Sequence, residues 1–573
     1  MHAPMPPRRY HHAVACIAAV AATLVGASSP AAAQPETTLT SEQQAYLDRQ
    51  VDETFARYHL PGLAVGVIVD GKVAYVRTLG ERVAGSGEKI DADTLFKIAS
   101  NSKAMTTALL GRLVDQGKLR WDDKVTQYLP DFRMYDPWVT REMQVGDLLT
   151  HSSGLREGAG DLMLWPEPND FTRADIIHAL RYLKPAYGFR SQYQYDNLLY
   201  VVAGELAAAA GGAPYDVLMR REVFAPLGLA RCQVGAWQRD EVGNVAQPHG
   251  WIDGRNQPIR IDGAQIPASA GDPAGGIRCS LNDLLAWTMN WLVPTPAQLQ
   301  WLMPAQRVVL QSPHMPIPLP ALRRQWDHSH VFAYGYGWRM ADVDGQWTVW
   351  HTGTLAGMYS ELMLLPDRRG GFVLLINGNG GAARTVLGEA LLKFFTDPAD
   401  TRGVAGYAAL LDEAAAAKGA RSDTALPDSA TLPPANPERM AGRLGVYRDP
   451  WFGTVSVCAQ AGAVHFRADK SPRLAGLVVE DHGRYLVRWD DRSIDPDAWL
   501  DFHAAAPMRL TLAKRDPHGD VSADYEDLDL TRVGACPASI TSSPSTGASP
   551  PPHARFTSLQ APLAHARDAS VLR

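Results

Sequence analysis

The positions of the strand-like segments constrain the fold of this 573-residue chain more than any other feature. Two apolar runs, 63–69 and 73–76, flank Asp70 and Gly71, a residue pair typical of a hairpin turn. Four comparable runs follow only far downstream, at 338–341, 347–350, 361–365 and 372–376. Because mostly helical patterns and long loops fill the segment between the two groups, we predict a mixed α/β (α+β) domain with an antiparallel sheet.

Composition divides the chain into five segments. Beyond the strand and helix patterns, an alanine-rich and a proline-rich stretch predict a helix followed by a semi-rigid linker. Short alternating runs then predict a small β-rich, barrel-like domain, and a last stretch of Ser, Thr, Pro and Ala is typical of disorder. The predicted segments are a signal peptide at 1–33, the sheet-and-helix domain at 38–398, the helix and linker at 399–437, the β-rich accessory domain at 438–535 and the tail at 536–573.

The first 33 residues have the pattern of a cleavable signal peptide. Arg8 and Arg9 precede an apolar run at 13–25, and the alanines at 31–33 suit a signal peptidase. The run is shorter than the about 20 residues that a membrane helix needs, and no later segment is long and apolar enough. We therefore expect a periplasmic or secreted protein without a membrane span.

Net charge and residue spacing limit the partners and cofactors that we expect this chain to bind. The chain has 55 Lys and Arg against 61 Asp and Glu, a net charge of −6, which disfavours a nucleic-acid partner. No cluster with metal-ligand spacing is recognisable, so we expect neither a metal nor a cofactor.

Cys458 and Cys536 are the first candidate pair for a disulfide, whereas Cys232 and Cys279 are expected to be buried thiols.

A serine and a lysine three residues apart open one of the helical patterns. Ser100 and Lys103 precede apolar residues at helical spacing, so their side chains are expected on the same side of the helix start. The lysine charge and the backbone N–H groups there would stabilise an alkoxide on the serine. Spacing alone favours a helix-capping serine followed by an exposed lysine, and the same spacing recurs at Ser86 and Lys89 in a Gly-rich turn.

Two downstream motifs favour the catalytic interpretation. Tyr195-Asp196-Asn197 precedes an apolar helical run, and His351-Thr352-Gly353 follows a predicted strand. A Ser-x-x-Lys, a Tyr-x-Asn and a basic residue followed by Thr-Gly, in this order, are typical of serine enzymes that form acyl intermediates.

These motifs resemble those of the class C β-lactamase-related serine hydrolases, which include penicillin-binding DD-peptidases, D-aminopeptidases and esterases. The resemblance covers about residues 41–395 and implies a β-lactamase/DD-peptidase-like antiparallel sheet flanked by helices in the 38–398 domain. Residues 444–532 are similar to a β-rich accessory domain of some members. Further stretches that resemble the family lie at 148–155, 275–276 and 334–338.

The resemblance assigns the chemistry to three side chains. Ser100 would be the nucleophile that forms an acyl-enzyme, and Lys103 and Tyr195 would share the proton transfer. Free lysine and tyrosine are almost fully protonated at pH 7, so one of them needs a lowered pKa to act as the base. The sequence leaves open which of the two takes the proton.

Five further residues would bind substrate or stabilise the oxyanion: Asn197, His351, Thr352, Gly353 and Thr354. Asn197 would orient the catalytic lysine and the substrate amide, and His351 would support the catalytic tyrosine. The backbone N–H group of Thr354, together with that of the nucleophile, would form the oxyanion hole.

His351 departs from the pattern of β-lactamases and many DD-peptidases, which have lysine at this position. A free histidine is mostly neutral at pH 7, and the nearby Lys103 would lower its charge further. A permanent positive charge for a substrate carboxylate is therefore expected to be missing. This favours an esterase or a D-amino-acid peptidase over a β-lactamase.

The sequence thus predicts an exported serine hydrolase that cleaves an ester, a small peptide or amide, or a β-lactam bond. Its partner would be a small-molecule ester or peptide substrate. The alternative is a non-catalytic protein of the same fold that binds penicillin or peptidoglycan peptides. The intact Ser-Lys-Tyr set favours the enzyme.

Overall fold

The structure is a computed structural model that describes residues 39–419, 428–494, 496–504 and 506–537. Its strands are β1 (Gly62–Val69), β2 (Lys72–Gly80), β3 (Phe96–Lys97), β4 (Trp237–Gln238), β5 (His249–Ile252), β6 (Arg255–Pro258), β7 (Gln265–Ile266), β8 (Arg278–Cys279), β9 (Met315–Pro316), β10 (Phe332–Tyr334), β11 (Arg339–Val343), β12 (Gln346–Leu355), β13 (Met358–Leu365), β14 (Gly370–Ile376), β15 (Gly445–Asp449), β16 (Gly453–Gln460), β17 (Ala463–Ala468), β18 (Ala475–Asp481), β19 (Arg484–Trp489), β20 (Ala498–His503), β21 (Arg509–Lys514) and β22 (Asp529–Gly534). Its α-helices are α1 (Ser41–Arg57), α2 (Ser102–Asp115), α3 (Val125–Tyr128), α4 (Pro137–Glu142), α5 (Arg173–Ala179), α6 (Leu198–Gly211), α7 (Tyr215–Leu218), α8 (Ala225–Leu227), α9 (Arg239–Val242), α10 (Leu281–Leu292), α11 (Pro296–Trp301), α12 (Pro304–Leu310), α13 (Ala321–Trp326), α14 (Gly381–Thr396) and α15 (Gly403–Gly419).

The central element is an eight-stranded antiparallel sheet with the order β2-β1-β14-β13-β12-β11-β10-β9. Strands from the two ends of the segment meet where β1 pairs with β14, so the predicted antiparallel sheet is confirmed. Asp70 and Gly71 form the β1–β2 turn with φ angles of +49° and +73°, the conformation that favours this residue pair. Strands β9 and β10 are not among the strands predicted from the sequence, because they are only two and three residues long.

Helices cover both faces of the sheet, which confirms the mixed fold class. Along β14, Val373 and Leu375 face a large core that includes residues of α2, α6 and α10. Leu374 and Ile376 face a second core with α1, α14 and α15. Such two-sided burial explains why this strand appears in the sequence as a continuous apolar run.

The C-terminal strands β15 to β22 form a closed antiparallel barrel, as the barrel-like prediction requires. Alternate side chains such as Val455 and Val457 of β16 are fully buried. The Cys458–Cys536 disulfide predicted from the sequence is present and ties β16 to the segment that follows β22.

The prediction of free thiols at Cys232 and Cys279 is wrong, because the two residues form a disulfide. The neighbouring residues Gln233 and Arg278 exchange backbone hydrogen bonds of 2.7 and 3.0 Å, which brings the cysteines together. A pair 47 residues apart in sequence leaves no local signal for this contact.

The barrel packs directly on the sheet-and-helix part of the chain. The rings of Phe171 and Phe452 lie 5.5 Å apart, and Lys470 forms an ion pair of 2.7 Å with Asp175. The chain from Leu39 onward clusters as a single unit, so the domain boundaries drawn from composition stay predictions. The predicted signal peptide and residues 538–573 of the predicted tail lie outside the described residues.

Among the described residues, no single helix has the length and apolarity needed to cross a membrane. One pair bent by 74°, Leu198–Gly211 with Tyr215–Leu227, meets that test by length and composition.

Candidate active site

Ser100 lies in a 3-10 turn, Ala99–Asn101, directly before α2. Ala99 adopts a φ of +49°, a left-handed conformation that is uncommon for a residue other than glycine. Ser360 of β13 holds this turn, since its Oγ donates to the carbonyl of Ile98 (2.7 Å) and accepts from Asn101 Nδ2 (2.8 Å). The sheet therefore holds the chain before Ser100 by a backbone carbonyl and the chain after it by the Asn101 side chain.

Lys103 lies in the first turn of α2 and its side chain is fully buried. Its Nζ is 3.1 Å from Ser100 Oγ, 2.7 Å from Asn197 Oδ1 and 2.8 Å from the carbonyl oxygen of Ala274. Burial lowers the pKa of Lys103 well below its usual value, and the charge of Arg339 acts in the same direction. The amine is therefore poised to lose its proton far more easily than a free lysine.

Tyr195 brings its ring over this amine from the segment that precedes α6. Lys103 Nζ lies 4.8 Å from the centroid of the Tyr195 ring. The ring centroids of Tyr195 and His151 are 4.1 Å apart. His151 holds the segment on both sides of the tyrosine, because its carbonyl accepts from Gln194 N (2.7 Å) and its Nδ1 accepts from Asp196 N (3.0 Å). Burial lowers the pKa of His151 well below its usual value, which keeps the ring neutral.

The third predicted motif lies on β12, which runs beside the nucleophile turn. A Cβ atom on Gly353 would lie 2.2 Å from the carbonyl oxygen of Ile98, so only glycine allows this approach. The two predicted oxyanion donors, the N–H groups of Ser100 and Thr354, lie on these adjacent segments. Arg384 of α14 secures the strand with bonds of 2.7 Å to the carbonyl of Gly353 and to Thr354 Oγ1.

His351 belongs to the same strand, β12, and is fully buried. Its Nε2 lies 2.9 Å from Tyr334 Oη and its Nδ1 lies 2.7 Å from the carbonyl oxygen of Thr352. Its ring centroid is 6.3 Å from that of Tyr195. Burial and the charge of Arg339 lower the pKa of His351 well below its usual value. The ring is therefore neutral, as expected, and its predicted support of the tyrosine stays a prediction.

The predicted residues meet at the wall of a cleft of about 880 Å³, a volume typical of small-molecule sites. Lys103, His351 and Gly353 are buried next to the residues that face the cleft. The second Ser-x-x-Lys match is not part of the site, since Lys89 pairs with Glu81 in a surface loop. The predicted residues that line the cleft are Ser100, Tyr195, Asn197, Thr352 and Thr354.

Arg339 of β11 corrects the expectation that the site lacks a permanent positive charge. Its guanidinium lines the cleft, donates to Thr352 Oγ1 (2.8 Å) and lies 5.6 Å from the centroid of the Tyr195 ring. The charge lost at His351 is thus provided by the neighbouring strand. No sequence motif marks this residue, because the pairing of β11 with β12 places Arg339 there.

A family model described as Beta-lactamase matches residues 47–394, more than half of the chain. The chain belongs to the Beta-lactamase family. This confirms the resemblance found in the sequence, and it places the chain among serine hydrolases, which supports hydrolase activity.

The relatives of this Beta-lactamase family chain include a penicillin-binding protein and an esterase. Penicillin-binding protein 4 of Amycolatopsis lactamdurans is 26% identical over 63% of this chain and 94% of its own length. Esterase EstB of Burkholderia gladioli is 32% identical, and the match spans 40% of this chain and 60% of the esterase.

A solved structure supports the fold. The octameric penicillin-binding protein homologue from Pyrococcus abyssi has a TM-score of 0.52 and 18% identity, and it covers 85% of this chain and 100% of its own. At this identity the likeness concerns the fold alone.

Proposed function

We propose that the protein is a serine hydrolase that cleaves an ester or a small D-amino-acid-type amide through an acyl-enzyme on Ser100. The observation that carries this proposal is the 3.1 Å contact between Ser100 Oγ and the buried Lys103 Nζ at the cleft wall. The esterase relative and the family membership support cleavage of an acyl bond.

Lys103 is suited to act as the base because its two other contacts are both acceptors. A neutral amine can donate its two N–H groups to Asn197 Oδ1 and the carbonyl of Ala274, so its lone pair faces the Ser100 hydroxyl. In the first step the proton moves from Ser100 Oγ to Lys103 Nζ while Oγ bonds to the substrate carbonyl carbon. The N–H groups of Ser100 and Thr354 would stabilise the oxyanion.

Tyr195 would return this proton to the leaving group. As the C–O or C–N bond breaks, the leaving alcohol or amine takes a proton from the Tyr195 hydroxyl, which regains one from Lys103 Nζ. Water then attacks the acyl-enzyme, its proton follows the same groups back to Ser100 Oγ, and the free acid leaves. The position of the Lys103 amine over the Tyr195 ring, 4.8 Å from its centroid, supports this route by making the two groups neighbours.

Arg339 indicates a substrate that carries a carboxylate. We expect Arg339→Gln to raise the KM of a carboxylate-bearing ester or D-alanyl amide about 10- to 100-fold, since a hydrogen bond to a charged group contributes about 1.5–3 kcal/mol. The KM of a matched neutral ester should change less than about threefold. Steady-state kinetics on the two substrates measure the difference.

Arg339→Lys is the control, because it keeps the charge and should recover part of the lost affinity for the carboxylate substrate. A β-lactam such as nitrocefin, which also carries a carboxylate, belongs in the same comparison. Equal changes in KM for the charged and the neutral substrate would show that Arg339 does not bind the carboxylate.

Export is a further part of the proposal. The charged start, the apolar run and the alanines at 31–33 support cleavage after Ala33, and the two disulfides suit an oxidising compartment. The mature protein recovered from a bacterial periplasm or medium is expected to begin at Gln34 on N-terminal sequencing. Recovery of an uncleaved chain from the cytoplasm would contradict export.

A further inference from the structure

A loop of the barrel reaches the catalytic part of the molecule. This loop joins β21 to β22 and includes Val521 and Ser522. It sits against Gly158, where a Cβ atom would lie 2.5 Å from the carbonyl oxygen of Val521. Both Gly158 and Ser522 line the cleft that contains Ser100. The barrel is thus in contact with the active-site wall and not only with the outside of the domain.

Three hydrogen bonds connect this loop to the catalytic amine. Ser522 Oγ donates to Asp161 Oδ2 (2.7 Å), and the same carboxylate oxygen accepts from Asn197 Nδ2 (2.9 Å). The other end of the Asn197 amide, Oδ1, accepts from Lys103 Nζ (2.7 Å). Asp161 is fully buried, so these contacts are shielded from water.

The orientation of the Asn197 amide decides which of its two polar groups faces Lys103. An asparagine amide can present either its oxygen or its NH2 group to a neighbour. Asp161 Oδ2 accepts the NH2 group of Asn197, and this choice leaves the amide oxygen facing Lys103. If the NH2 group faced the amine instead, it could not accept a hydrogen bond from it, and the lone pair of Lys103 would no longer be directed at Ser100.

A second barrel residue fixes the backbone around Asp161. The carboxylate of Asp524 accepts from the backbone N–H groups of Gly160 (2.5 Å) and Leu162 (2.9 Å), which flank Asp161. Burial raises the pKa of Asp524 to about 7 and that of Asp161 well above its usual value. The hydrogen bonds that Asp161 receives from Ser522 and Asn197 lower its pKa and so act against burial, because they stabilise the charged form of the carboxyl group.

We infer that Ser522 of the accessory barrel is a positioning residue of the active site, which holds Lys103 in its catalytic orientation through Asp161 and Asn197. The inference rests on the proposed function, because it assigns Lys103 the role of base. It gives the barrel a direct part in catalysis, because Ser522 completes the hydrogen-bond support of Lys103 by binding Asp161, which lies 361 residues away from Ser522 in sequence.

The test compares two variants of the full chain that have the same shape. Ser522→Thr keeps the hydroxyl and Ser522→Val removes it, so any steric effect of the added methyl groups is common to both. We expect Ser522→Val to lower kcat on a small neutral p-nitrophenyl ester about 5- to 30-fold, with KM within about twofold. Ser522→Thr should keep kcat within about threefold of the original protein.

Ser456→Ala, on β16 of the same barrel, is the control and should leave both constants unchanged. Equal kcat values for the Thr and Val variants, or a loss confined to KM, would overturn the positioning role. A parallel measurement on Ser100→Ala separates a failure of the role of Ser522 from a failure of the proposed function. If Ser522→Val is fully active while Ser100→Ala is inactive, the role of Ser522 is wrong and the proposed function stands; if Ser100→Ala is fully active, the proposed function itself is wrong.

Discussion

Replacing Ser100 by alanine is expected to lower kcat about 10⁴- to 10⁶-fold on every ester and amide that the protein hydrolyses. The loss follows because the hydroxyl is the group that would bond to the substrate carbonyl, and alanine has no nucleophilic atom in its place. The thermal midpoint should change little, since the turn is held by Ser360 and Asn101 rather than by the Ser100 side chain. Steady-state kinetics and a thermal melt of the purified variant measure both effects.

Ser86→Ala is the matched control for this experiment. Ser86 belongs to the other Ser-x-x-Lys sequence in the chain, and its hydroxyl accepts only a local hydrogen bond, from the backbone N–H of Glu88, in a surface loop. Its kcat should equal that of the original protein. A fully active Ser100→Ala variant would contradict the proposed nucleophile.

The second large effect is expected for Tyr195→Phe. The variant keeps the ring that packs against His151 and lies over the Lys103 amine, and it removes only the hydroxyl that would carry the proton to the leaving group. General acid–base groups contribute about 10²- to 10⁴-fold, so kcat should fall by that factor with an unchanged thermal midpoint. The loss should be smaller for an ester with a p-nitrophenolate leaving group, which departs without protonation, than for an amide.

Tyr187→Phe controls for the loss of a tyrosine hydroxyl on the same segment of the chain, at an exposed position. Its activity should be unchanged. Equal activity of the Tyr195→Phe variant and the original protein on an amide would show that proton transfer does not pass through Tyr195.

Much of the fold was predictable because its signals are local. The hairpin at Asp70 and Gly71, for example, follows from residues that are neighbours in sequence. Helix α1 shows the limit of such signals, because Thr40, and not the neighbouring Ser41, caps the helix in a reciprocal arrangement with Gln43. Two residue types with similar capping ability stand side by side there, and the hydrogen bonds decide between them.

The site was predictable in part, for a related reason. The proposed reaction needs a serine and a lysine one helical turn apart, and this spacing is visible in the sequence at Ser100 and Lys103. Arg339, Asp161 and Ser522 are different, because each enters the site through pairing or packing of distant segments. Ser522 and Asp161 lie 361 residues apart, and only the folded chain brings them to 2.7 Å. No pattern of neighbouring residues marks such contacts.

Covalent labelling with a fluorophosphonate, followed by mass spectrometry of the digested protein, tests the reactive hydroxyl most directly. We expect one adduct, on the peptide that contains Ser100, and no adduct in the Ser100→Ala variant. A fluorescent penicillin in parallel shows whether the same hydroxyl also opens a β-lactam. An unlabelled protein, as expected of a non-catalytic binding protein, or an adduct on a different serine would contradict the account.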